Sequence, residues 1–189
     1  MRIVGGKHRG RSIEAPAGDA VRPTADRTRE AIFNILLHAG WGAGGASPLQ
    51  GARVLDAFCG TGAMGLEALS RGAAFASFMD KDARAIAIAR ANADKLKESA
   101  HAQFVRTDAL RPPRAADPCG VAFLDPPYGS DLTSPALDAL GDAGWLGVGA
   151  IACVEFSAKQ KAFSPPARFD LLDTRRYGAA AVAFLRYLG

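Results

Sequence analysis

Val54-Leu55-Asp56-Ala57-Phe58-Cys59-Gly60-Thr61-Gly62-Ala63-Met64-Gly65, residues 54–65, decides the architecture. Arg53 to Asp56 predicts a short apolar strand that ends in an acid. A G-x-G-x-x-G follows it and opens a helix from Ala63 to Arg71, closed by Gly72. Glycines allow the tight turn and let a ligand approach the backbone, while the helix N-terminus favours negative charge. Asp80 lies 20 residues after Gly60, at the end of the next apolar run, Ala74 to Met79. An acid there can accept hydrogen bonds from both hydroxyls of a ribose. The combination predicts a nucleoside-bearing cofactor; the blander alternative is a purely structural turn. The loop does not choose between NAD and S-adenosylmethionine.

Further along the chain, strands and helices alternate. Asp82 to Leu96 predicts a helix with Ile86, Ala89, Ala93 and Leu96 on one face. Gln103 to Arg106, Val121 to Leu124 and Ile151 to Glu155 predict strands, and Ser134 to Ala143 a helix. This order calls for an α/β fold, a Rossmann-like sandwich with a mostly parallel sheet and helices on both faces. Phe169 to Arg175 and Ala181 to Leu188 both predict strands, with Tyr177-Gly178 between them and no helix. They should form an antiparallel hairpin that completes a seven-stranded sheet. Residues 157–168 contain two prolines and predict a short, irregular crossover.

Toward the N-terminus the composition changes. Arg2, Lys7, Arg9 and Arg11 fall within eleven residues that contain no acid, punctuated by Gly5, Gly6 and Gly10. Arg2-Ile3-Val4 and Arg11-Ser12-Ile13 predict a basic β-hairpin or extended arm; a frayed, solvated tail is the alternative. Pro23-Thr24 introduces a helix, with Thr24 or Asp26 as its N-cap. Ala31, Ile32, Ile35 and Leu36 form its apolar stripe, which ends near Gly40. Residues 40–51 read as a Gly-rich linker. The expected division is a recognition extension over residues 1–50 and a catalytic domain over residues 51–189.

The chain has 189 residues, 49% apolar and 22% charged, which excludes intrinsic disorder and fits one folded domain. Its net charge of +4 permits a nucleic-acid partner without requiring one. Cys59, Cys119 and Cys153 are widely spaced with no CxxC, against a disulfide scaffold or a zinc site. No apolar run approaches the ~18 residues of a membrane span. The first residues lack the apolar core of a secretory signal. A cytoplasmic protein with no metal is expected.

Asp125-Pro126-Pro127-Tyr128 follows the fourth predicted strand, at the edge where open α/β sheets place ligands. Two prolines fix the backbone, so the Asp125 carboxylate and the Pro126 carbonyl point in set directions. Tyr128 offers a flat aromatic face. The set suits an exocyclic amino group on a planar base. Such a nitrogen is a poor nucleophile, because its lone pair is delocalised into the ring. Two acceptors on its hydrogens draw it toward a tetrahedral geometry, while the tyrosine stacks on the base. A Pro-Pro turn with a capping aspartate is the alternative.

Other positions carry two readings. Asp108 either accepts from an adenine amino group or caps its own loop. Asp56 either orients the loop or lies near a cationic methionine end. Glu67 and Arg71 are an i,i+4 helix pair. Cys59 as a covalent nucleophile would leave the tetrapeptide idle.

The tetrapeptide and glycine loop resemble those of S-adenosylmethionine-dependent amino-methyltransferases. The opening MRIVGGKHRGR, then RPTADRTREAIFNIL, VLDAFCGTGAMGLEALSRGA, FMDKD, FLDPPYG and the closing hairpin narrow the likeness. Over nearly its whole length the chain resembles the RsmD family of bacterial ribosomal RNA guanine-N2 methyltransferases. The resemblance implies methyl transfer to N2 of guanine 966 in 16S rRNA, within the small subunit or an assembly intermediate, by a monomer. It implies cofactor contacts at Asp56, Phe58, Gly60, Thr61, Gly62, Asp80, Lys81, Asp108 and Ala109. It implies that Asp125, Pro126, Pro127 and Tyr128 hold the amino group, and that Arg2, Lys7, Arg9, Arg11, Arg22 and Arg27 contact RNA, with Arg29, Arg175 and Arg176 adding to that surface. Adenine N6 and protein glutamine are the rival acceptors within the class. An NAD-linked reductase or a non-catalytic nucleotide-binding module is the rival outside it.

Overall fold

The computed structural model describes residues 1–15, 23–127, 132–159 and 163–189. Its helices are α1 (Pro23–His38), α2 (Ala63–Ser70), α3 (Ala83–Leu96) and α4 (Thr133–Asp142). Its strands are β1 (Arg53–Ala57), β2 (Phe75–Asp80), β3 (Ala102–Arg106), β4 (Cys119–Leu124), β5 (Leu146–Ser157), β6 (Phe169–Tyr177) and β7 (Ala180–Tyr187). Among the described residues they form one seven-stranded sheet, in the order β3-β2-β1-β4-β5-β7-β6. The first five strands run parallel, and β7 enters antiparallel between β5 and β6.

The order reverses between β1 and β4, which opens a crevice at their carboxyl ends. Alternation along each strand then decides what faces that crevice. Val54, Ala76, Phe78, Val121, Phe123, Ile151 and Cys153 share one core with α1, α2 and α3. Leu55, Met79, Ala122, Leu124, Ala152 and Val154 share a second core with α4. One step beyond Phe78, Phe123 and Cys153 come Asp80, Asp125 and Glu155, while Asp56 lies level with Phe78 and Phe123. Four acids therefore lie toward the carboxyl ends of four adjacent strands, on the same side of the sheet.

The N-terminal segment lies on that side too. Arg2 and Ser12 make one antiparallel bridge around a 3-10 turn at Gly6–His8. The predicted hairpin is thus a single bridge, and the segment is no frayed tail. Ile3 and Ile13 are buried in the first core, each worth about 1.5–3 kcal/mol in removing apolar surface from water.

Three expectations need correction. Thr24 and Asp26 both lie within α1 and not at its N-cap position, and Asp26 accepts from Arg29 Nη2 at 2.7 Å. The core stripe of α1 also includes Phe33, which is fully buried against Phe123. β5 begins five residues before the predicted Ile151 and shifts register against β4 between Cys119 and Val121.

Candidate active site

The β1–α2 loop holds an unusual backbone. Phe58 has φ +62°, followed by Gly60 at +52° and Gly62 at +78°. A bulky residue with positive φ carries about 1–3 kcal/mol of strain, which the surrounding contacts must impose. The glycines divide the work. A Cβ on Gly60 would meet nothing within 4 Å, so that position borders open space. A Cβ on Gly65 would sit 2.4 Å from the Phe78 ring, so that glycine lets α2 pack on the sheet.

Acids fasten the loop. Gly65 N–H donates to Asp56 Oδ2 at 2.9 Å, and Gly60 N–H donates to Asp80 Oδ2 at 3.0 Å. Asp82 N–H donates to the other Asp80 oxygen. Burial pushes the Asp56 carboxyl up to about 8, with the charges of Asp125 and Asp80 adding to the rise. Asp125 stands at the crevice mouth, where the residue is exposed but protein crowds its carboxyl. That crowding, with the charge of Glu155, lifts it to about 7. A cation in the crevice would relieve both groups, so their chemistry fits a sulfonium bearing a ribose.

Lys81 and Asp108 are exposed at the ends of β2 and β3, and Ala109 is buried beside them. Asp108 Oδ1 accepts from Leu110 N–H at 3.0 Å, so it does cap its loop. Pro126 is buried and Pro127 exposed. Tyr128 and Arg22 lie outside the described residues. Cys59 is buried, and burial pushes its thiol far up, with Asp56 and Asp80 adding to this. That environment disfavours a thiolate nucleophile. Among the described residues no group of three potential ligands could hold a metal ion, and no helix is long and apolar enough to cross a membrane.

The basic segment meets acids from distant parts of the chain. Lys7 pairs with Glu98 at 2.7 Å, and His8 Nε2 lies 2.5 Å from the same oxygen. Arg2 lies 3.6 Å from Asp26, and Arg11 donates to the Lys95 carbonyl at 2.6 Å. Arg9 and Arg27 are exposed with no ion pair among the described residues. They line, with Arg2, Ile3, Asp26 and Glu30, a concavity of about 600 Å³. Arg29 does not reach solvent: its side chain is 5% exposed and paired with Asp26, with Glu67 3.7 Å away. Arg175 pairs with Asp173, and Arg176 donates to the Ala158 carbonyl.

Three residues had no role, or too small a role, in the sequence. Glu155 closes an apolar run just as Asp56, Asp80 and Asp125 do, and that signature was available. Glu67 pairs with Arg71 as expected but also accepts from Val4 N–H at 2.8 Å. Asn92, fully buried on α3, exchanges hydrogen bonds with both backbone groups of Glu14 and donates to the Thr61 carbonyl at 3.0 Å. It ties the N-terminal segment to the glycine loop, and one asparagine in a helical pattern gives no sign of that.

A family model described as "Conserved hypothetical protein 95" matches residues 1–186. The Escherichia coli K12 protein named ribosomal RNA small subunit methyltransferase D is 35% identical over 188 residues, covering 99% of this chain and 89% of its own. Its Haemophilus influenzae namesake is 31% identical, covering 94% and 89%. A solved Escherichia coli structure described as a candidate methyltransferase, yhhF, superposes with a TM-score of 0.82 at 30% identity, covering 100% of this chain and 98% of that one. An open crevice, a strained glycine loop and an acid-Pro-Pro segment after β4 accompany these matches: the chain is a methyltransferase and belongs to the family of the ribosomal RNA small subunit methyltransferase D proteins.

Proposed function

We propose that the chain transfers a methyl group from S-adenosylmethionine to the exocyclic N2 of a guanine in small-subunit ribosomal RNA, guanine 966 of 16S rRNA. One observation carries the reading: Asp125-Pro126-Pro127 ends β4 beside the β1 loop, on the sheet side that also bears the basic N-terminal segment. The names of the relatives support ribosomal RNA as the substrate class.

Asp56, Phe58, Gly60, Thr61 and Gly62 would hold the methionine end of the cofactor. Asp80 and Lys81 would take its ribose, and Asp108 and Ala109 its adenine. When bound, the cofactor supplies an already activated methyl group. The protein adds position and electrostatics. Asp125 and the Pro126 carbonyl accept from the amino group, and Tyr128 stacks on the base. Unstacking the base costs a few kcal/mol, least in a loop. Arg2, Lys7, Arg9, Arg11, Arg22 and Arg27 form the RNA-facing set, with residues 1–50 as a recognition extension to the catalytic residues 51–189. The substrate is the small subunit or an assembly intermediate, and the enzyme acts as a cytoplasmic monomer.

Labelled S-adenosylmethionine, incubated with small subunits that lack the modification, tests the reading. Label is expected in 16S rRNA, at a single guanine N2. Label confined to adenine N6 of DNA, or to a protein glutamine, would replace it with a rival acceptor.

A further inference from the structure

Glu155 has no place in the roles above, yet the sheet brings it to the reacting edge. Leu124 pairs with Val154 in the parallel β4–β5 ladder, and Asp125 and Glu155 come next along the two chains. Adjacent strands lie about 4.8 Å apart, and paired residues point to the same side. Phe123 and Cys153, two residues earlier, both face the first core, so Asp125 and Glu155 both face the crevice. The charge of Glu155 acts directly on Asp125. Asp56 on β1 is paired with Phe123, two residues before Asp125, and the charges of Asp56 and Asp125 act on each other. On its other flank Glu155 pairs with the apolar Val182 of β7.

Methylation of an amino group leaves a proton to be placed. The N2 lone pair forms the new N–C bond. The C–S bond breaks and its electron pair stays on sulfur, leaving a neutral thioether. The nitrogen now carries a positive charge and must lose one hydrogen as a proton. An acceptor already touching that hydrogen shortens its path to water.

We infer that Glu155 is a positioning residue for this step: held beside Asp125 at the sheet edge, its charge favours passage of the amino proton onto the Asp125 carboxylate. Asp125 then yields the proton to water as product leaves. The inference rests on the reading that Asp125 contacts the amino group.

Asp125 must be ionised to accept, so the rate should rise with pH up to a plateau, with an acid limb that the bound sulfonium draws below the ligand-free value of about 7. Glu155→Gln removes the neighbouring charge and should move that limb down by about one unit. A less basic acceptor should also lower the plateau by roughly three- to tenfold. The variant's activity relative to wild type should therefore be higher at pH 6 than at pH 8.5, and Glu155→Asp should restore the limb. The measurement is single-turnover methyl transfer from S-adenosylmethionine to unmodified small subunits between pH 5.5 and 9. Rates are taken per folded molecule, with the folded fraction measured at each pH. A limb that stays in place, with activity lost evenly across pH, would overturn the role of Glu155. Asp125→Asn separates the two layers. If it keeps wild-type turnover, the reading of Asp125 fails. If it is inactive while the Glu155→Gln limb is unmoved, only the inference about Glu155 fails.

Discussion

The two sides of the sheet are built by different physics. The side packed on α4 is almost wholly apolar, with Leu55, Met79, Leu124, Leu137 and Leu140 fully or nearly fully buried. Its buried polar residues are Ser77 and Thr133, among those described. The opposite side buries Arg29, Asp56, Glu67, Ser70, Asn92 and Glu98. Each of those groups must find partners or pay its desolvation in full. They find them in the N-terminal segment and the glycine loop, apart from the buried Arg29 Nε, which has no hydrogen bond among the described residues. Both sides are thus held by apolar packing, and the second adds polar contacts that also fix the crevice.

Breaking the polar side should cost most. Glu67 is fully buried and faces Arg71, itself 8% exposed, and Arg29. Glu67→Ala strands the buried Arg71 guanidinium, leaves Arg29 with Asp26 alone as its acid, and frees Val4 N–H. A loss of about 3–5 kcal/mol is expected, read as a fall of roughly 10 °C in Tm at ~2–4 °C per kcal/mol. A change within about 2 °C would show that the network contributes no net stability. On the apolar side, Leu137→Ala should cost about 2–5 kcal/mol through its cavity. Turnover per folded molecule should stay the same; a fall in kcat would make this side part of the site.

Asp125→Ala should do the reverse, lowering kcat by roughly 10²–10³-fold, as for loss of one preorganised contact. Its Tm should hardly move. Near-normal turnover would remove Asp125 from the reaction.

The acids of the crevice give a subtler test. An Asp56 carboxyl raised to about 8 binds more protons folded than unfolded between pH 4 and 8. The free protein therefore loses that stability as pH rises through this window. A sulfonium favours the ionised acids, so the thermal shift given by S-adenosylmethionine should grow from pH 6 to 9, up to about tenfold in affinity per unit while one proton is released. S-adenosylhomocysteine, whose sulfur is neutral, should show less of this growth. Parallel curves for the two ligands would place the sulfur away from Asp56.

The smallest effect belongs to the surface. Arg9→Ala should weaken RNA binding and reduce the slope of log K against log salt by about one. An unchanged slope would exclude Arg9 from phosphate contact.

Much of this architecture was legible because it is written locally. β1, β2 and β4 are short apolar runs, and an acid closes each run. The predicted buried face of α3 is the observed one, Ile86, Ala89, Ala93 and Leu96. What stayed hidden depends on distant partners. The acid-free stretch around Lys7 is supplied with Glu98 by the fold, and Arg29 looks like any surface arginine until Glu67 approaches it. The early part of β5 was masked by Gly147 and Gly149, which break the apolar pattern while Leu146 still pairs with Cys119. Glu155 was visible as a strand end, but its neighbour across the ladder was not.

The strand order also sets a schedule. β7 follows β6 in the chain but fits between β5 and β6. Until it docks, β5 offers an open edge and β6 has no place on the sheet. The β6–β7 hairpin can form from nearby residues, whereas its attachment to β5 closes a longer loop. Ala181 to Leu185 is an unbroken apolar run, fully or nearly fully buried once in place, and exposed until then. The last strand to be made thus acts as the latch of the sheet, and slow latching would show first as aggregation.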